Sequence, residues 1–104
     1  PEQLQQRINK QPLSPLYLAD KTTLINIMEM VSGLFLSKNI VYQNGKPAYL
    51  VDLAKAFEWL FNIKIGDCYQ KHEDVIKRKP GKLTGFLNGL VELIKKEHDK
   101  KGYR

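Results

Sequence analysis

The apolar residues of this chain recur at helical spacing. Leu24, Ile27, Met28, Val31, Leu34 and Phe35 fall three and four positions apart, with Ile25 and Met30 widening the stripe. Side chains spaced that way share one face of a 3.6-residue repeat, so a helix is predicted over 22–37, apolar enough around its girth to be the central buried element. Asp20, Lys21, Thr22 and Thr23 stand just ahead of it, and such side chains accept the N–H groups that a first helical turn leaves free. Ser37-Lys38-Asn39 ends the pattern. Ile40-Val41-Tyr42 then has the β-branched and aromatic character of one short strand. Asn44-Gly45 signals a turn, and Pro47, which has no N–H for a ladder, argues against a regular return strand.

Leu50, Leu53, Ala54, Phe57, Leu60 and Phe61 form a second stripe and predict a helix over 50–61. Asn62 to Gly66 connect it to a third helix over 67–79, opened by Asp67 as a cap and stopped by Pro80-Gly81. Ile65, Cys68 or Tyr69, His72, Val75 and Ile76 make its inner side. Leu83, Phe86, Leu87, Leu90, Val91 and Ile94 set a last helix over 84–98. Ahead of the first helix, Leu4 and Ile8 stand on a polar, Gln-rich background, and Pro12 and Pro15 impose an extended path. The expected division is a linker or clipped interdomain segment over 1–19 and one domain over 20–104. A start at Pro1 reads as a piece of a longer protein with an upstream domain.

A chain of 104 residues, 42 % hydrophobic, suits one small folded domain. The formal charge is +6 and is placed unevenly: residues 1–62 carry six bases and five acids, residues 63–104 eleven bases and six acids. That asymmetry points the C-terminal half at an anionic partner, nucleic acid before membrane. One cysteine, Cys68, excludes an internal disulfide framework and fits a reducing cytoplasm. No apolar run reaches the ~20 residues a membrane span requires, and no signal-peptide pattern is present.

The order of helix, short strand, helix, tight connection and helix matches the front half of a winged-helix domain, with helix-turn-helix spacing in its last two helices. In that arrangement the third helix enters the major groove while the second crosses the phosphate backbone. Its exposed face would carry Gln70, Lys71, Asp74 and Arg78 toward bases, Gln being suited to adenine and Arg to guanine. Lys77, Lys79 and Lys82 would neutralise phosphates, with Lys95 and Lys96 as flanking contacts. The plainer alternative is a solvated helix whose Lys77 to Lys79 complement the negative end of the helix dipole.

Other chemistry finds less support. Cys68 and His72 are four apart, as two metal ligands on one helix face are, but only His98 remains for a structural site that needs four. Cys68 is better read as a small buried hydrophobe and His72 as hydrogen-bonded at the core edge. Asp52 and Glu58 have no phosphate loop near them, the serines sit on no strand-to-helix elbow, and a Cys–His pair on one helix wall lacks an oxyanion hole. No catalysis, metal or cofactor is expected. Trp59 lies off the main stripe of its helix, either covered by Leu16 to Leu18, half-buried, or offered to a protein partner.

The run Leu53-Ala54-Lys55-Ala56-Phe57-Glu58-Trp59-Leu60-Phe61-Asn62-Ile63-Lys64-Ile65-Gly66-Asp67-Cys68-Tyr69 resembles the C-terminal region of the RteC family. Leu24-Ile25, Asn44-Gly45-Lys46, Arg78-Lys79 and Thr84-Gly85-Phe86-Leu87 with Leu90 extend the likeness. The resemblance implies a mostly helical regulator with a winged-helix-like C-terminal domain and a separate N-terminal domain. It also implies a role with tetracycline-responsive conjugative transposons in bacteria, activating excision genes from promoter DNA. Lys79-Pro80-Gly81-Lys82 is too short for a β-wing, so an all-helical variant is expected. The combined expectation is a mainly α, winged-helix or helix-turn-helix-like domain of four helices with one short strand after the first. It would bind double-stranded DNA in the cytoplasm. The alternative is a helical protein-interaction module of the same fold.

Overall fold

The computed structural model describes residues 14–103. Within them lie four helices: α1 (Leu24–Ser37), α2 (Leu50–Phe61), α3 (Cys68–Ile76) and α4 (Gly85–Lys100). The expected segment over 1–13 lies outside the described residues.

Helix α1 is the hub, packed against α2, α3 and α4, while the backbone of α4 comes close to that of α1 alone. Thr23 caps it by accepting from the Asn26 N–H at 3.4 Å, and Lys38 closes it in the left-handed region with φ 59°. Ile27, Met28 and Val31 meet Leu50, Leu53, Ala54, Ile65, Cys68 and Val75 in the core, as their spacing predicts. Burying such aliphatic side chains is the main driving force available to a chain of this size.

The structure departs from the pattern in two places. No strand is found among the described residues: Ile40 to Tyr42 make only an isolated antiparallel bridge, Val41 against Pro47. The Tyr42 N–H donates to the Lys46 carbonyl and the Ala48 N–H to the Ile40 carbonyl, both at 2.9 Å. The Lys46 N–H that a second pair would require donates instead to Asn44 Oδ1 at 3.0 Å, so the pairing ends at once. Helix α3 stops at Ile76 rather than Lys79. The residue before a proline is driven away from helical backbone, which removes Lys79, and Arg78 is drawn inward by a partner on α1.

That partner is Glu29. It sits among the core residues of α1 with its side chain 1 % exposed, and Arg78 Nη1 donates to its Oε1 at 2.8 Å. Its other oxygen accepts from the Leu87 N–H at 2.7 Å, in the first turn of α4. One carboxylate thus joins the hub to the end of α3 and the start of α4. A buried charge is tolerable only when paired and hydrogen-bonded in this way.

The α2–α3 connection is fixed by side chains of its own. Asn62 caps α2 in the left-handed region with φ 53°, and its Nδ2 donates to the carbonyls of Ser14 at 2.6 Å and Leu16 at 2.9 Å. Glu58 reaches forward to accept from the Ile65 N–H at 2.6 Å. Gly66 has φ 81°, a backbone state that suits glycine.

Arg78→Ala leaves the enclosed Glu29 carboxyl without its charged partner, so it should lower unfolding stability by about 3 kcal/mol, the scale of a broken buried pair. Urea unfolding followed by helical circular dichroism measures this. A loss below about 1 kcal/mol would contradict the structural weight given to the pair.

Candidate nucleic-acid interface

Helix α3 owes its position to its inward side chains. Cys68 and Val75 are buried in the core. His72 Nδ1 lies 2.8 Å from Ser32 Oγ, and its ring meets the Phe35 ring edge-on at 5.7 Å. This agrees with Cys68 as a small core residue and His72 as a hydrogen-bonded residue at the core edge. It also settles the choice between Cys68 and Tyr69: Cys68 turns in and Tyr69 turns out. Ile76, expected on the inner side, is 43 % exposed. Asp67 caps the helix by accepting from the Tyr69 and Gln70 N–H groups, each at 3.1 Å.

The opposite face of α3 presents Tyr69, Gln70, Glu73 and Lys77 to solvent, with Lys71 and Asp74 partly covered. The start of α4 approaches α3 only at the groove where Leu83 and Leu87 face Val75 and Ile76, away from Tyr69, Gln70 and Glu73, which are exposed. Three of these groups form a chain along the surface. Gln70 Nε2 donates to Asp74 Oδ1 at 3.0 Å, and Lys77 Nζ stands 3.3 Å from the same oxygen. The Gln70 amide, with help from Lys77, holds the Asp74 carboxyl below its ordinary range, so Asp74 stays anionic at neutral pH.

The other expected contact residues fall in three places. Arg78 is only 22 % exposed and is committed to Glu29, with a further 3.4 Å donation to the Lys82 carbonyl; it is therefore withdrawn from the outward face. Lys79 and Lys82 are exposed at the α3–α4 turn. They line an open cleft of about 340 Å³ with Arg78, Gly81, Phe86 and Asn26 of α1. Lys95 and Lys96 are exposed on α4, a separate element, where Lys95 lies 3.8 Å from Glu92.

Two members of this surface escaped the sequence reading. Tyr69 could have been found by continuing the outward face of α3 one step before Gln70. Asn26 had no such signal, because only the tertiary approach of α1 brings it to the cleft. Trp59 on α2 is 53 % exposed, half-buried rather than fully covered. Among the described residues no cluster of three or more His, Cys, Asp or Glu could hold a metal ion, and no helix is long and apolar enough to cross a membrane.

A family model described as RteC protein matches residues 2–101. The chain belongs to the RteC family. Membership ties it to regulators related to conjugative transposons. No curated protein matches the chain, and no solved structure does.

Replacing Gln70 with alanine should return the Asp74 titration toward the ordinary carboxylate range, since the main group lowering it is gone. Carboxyl carbon shifts followed by NMR from acid to neutral pH report this directly. An unmoved midpoint would mean that the Gln70–Asp74 bond does not persist in solution.

Proposed function

We propose that this RteC-family chain is the DNA-binding part of a regulator controlling excision and transfer genes of a conjugative element, within the tetracycline-responsive setting of its resemblance. The observation that carries the reading is the outer face of α3, exposed at Tyr69, Gln70, Glu73 and Lys77 among the described residues, which ends at a cleft flanked by Lys79 and Lys82. In this proposal α2 and α3 act as a helix-turn-helix, with α3 in the major groove of double-stranded DNA. Gln70 and Lys71 meet base edges with Asp74 beside them, and Lys77, Lys79 and Lys82 hold phosphates. Arg78 works from behind, fixing the turn through Glu29. Lys95 and Lys96 reach only flanking backbone. Such a protein acts in the bacterial cytoplasm and needs neither catalysis nor a cofactor.

The α3 face tempers the electrostatics. Glu73 is exposed there and Asp74 is anionic, so the helix itself attracts phosphate weakly and most of the attraction falls to the turn. The same acids, with the exposed Trp59, favour the second reading: a helical protein-interaction module in which indole and carboxylates meet a protein partner.

Fluorescence anisotropy on promoter fragments separates the two. With about four to six phosphates contacted, log affinity should fall with log salt at a slope of about −4 to −5. The Lys79→Ala/Lys82→Ala variant should bind at least about tenfold more weakly and show a slope shallower by about 2. Asp74→Asn should tighten binding by about threefold, the scale of one exposed charge. A flat salt response, or no complex with any duplex at low salt, would favour the protein module.

A further inference from the structure

Helix α3 carries a polar stripe in which each member is tied to the next. Gln70, Asp74 and Lys77 follow at steps of four and three, opposite Cys68, His72 and Val75 by helical phase. Gln70 Nε2 donates to Asp74 Oδ1 at 3.0 Å, and Lys77 Nζ lies 3.3 Å from that same oxygen. A carboxylate only accepts, so the end of the Gln70 amide that faces it must be the nitrogen. The amide oxygen is thereby turned away from Asp74. One Nε2 hydrogen is used, and Oε1 and the second hydrogen are left for a partner. Gln70 stands in the first turn of α3, where a helix that enters the groove meets base edges. Of the four side chains expected at bases, Arg78 is held by Glu29, Lys71 is partly covered and only donates, and Asp74 only accepts. Gln70 alone among them is exposed with both a donor and an acceptor to offer.

We propose that Asp74 is a positioning residue that makes α3 an adenine reader. Its bond takes the N–H trans to Oε1, so that Oε1 and the cis N–H stand side by side at the outer edge of Gln70. Adenine presents the matching pair in the major groove, the N6 donor beside the N7 acceptor. Guanine presents two acceptors, N7 and O6, and its O6 would meet Oε1 with no hydrogen between them. A free glutamine could turn its amide over and lead with the nitrogen. Asp74 forbids that turn, because the oxygen would then face a carboxylate. Lys77, against the same Oδ1, offsets the charge of Asp74 beside the phosphates. The inference rests on α3 entering the major groove and names the pair it meets there, an A·T read from its adenine.

Selection from a randomised duplex pool by the whole chain, followed by sequencing, tests this. One position should favour adenine over guanine by about tenfold, the discrimination of one bidentate pair. Gln70→Ala should erase that preference and leave the other positions as they were. Gln70→Glu, which only accepts, should move it toward cytosine, whose N4 donates. Asp74→Asn removes a charge, so every duplex binds more tightly. Its amide can face either end of Gln70, so the guanine duplex gains more and the preference shrinks to about threefold. Helical circular dichroism should be unchanged in all three, since Gln70 and Asp74 lie outside the core. An adenine preference that survives Gln70→Ala, or one that Asp74→Asn leaves undiminished, would overturn the proposal while DNA binding stands. So would duplexes retained with salt-sensitive affinity and no adenine position. Retention of no duplex at low salt would overturn both this proposal and the DNA-binding reading.

Discussion

Glu29 holds the architecture to one solution. A carboxylate in the core must find partners for both oxygens, and the two it finds lie on either side of Pro80-Gly81: the Arg78 guanidinium at the end of α3 and the Leu87 amide at the start of α4. The turn between them can close in few other ways without stranding a charge away from water. This matters most for α4, whose backbone comes close to that of α1 alone among the other helices. The approach to α1 is close there, because a side-chain carbon added to Gly33 would stand 3.8 Å from Leu87.

The same interaction sorts the basic residues of the C-terminal half by task. Arg78 is drawn inside, Lys79 and Lys82 are left on the rim of the turn, and Lys77 is engaged by Asp74. The positive charge available to a partner is therefore concentrated at the α3–α4 corner rather than spread along α3. In the proposed DNA-binding reading, the corner would supply attraction that is indifferent to sequence, and α3 would offer polar groups whose value lies in their geometry.

Spacing alone was enough to place the helices, because apolar side chains three and four apart have one economical arrangement around α1. Thr23 and Asp67 were legible as caps for the same local reason. What could not be read was tertiary. Glu29 follows Met28 in an apolar stripe and looks like a tolerated interruption; its partner Arg78 is 49 positions away and looks like one more base in a basic run. The expected exposure of Arg78 and its place in α3 both stem from that hidden pairing, while Lys79 is removed by the proline after it. The choice between Cys68 and Tyr69 turned on helical phase, which an uncertain start position leaves open by one residue. Ile40 to Tyr42 had strand-like residues, but the Lys46 N–H that a second pair needs is held by Asn44 Oδ1 within the turn.

That unfinished pairing protects the molecule. Ile40 and Val41 are respectively 40 % and 50 % exposed, and an extended, β-branched, solvent-facing segment is the usual template on which stray chains add themselves edge to edge. A single bridge forms, and Pro47 has no N–H to offer a strand arriving on its outer side. The loop is thereby a self-terminating edge, which keeps neighbouring molecules from growing a shared sheet in a crowded solution.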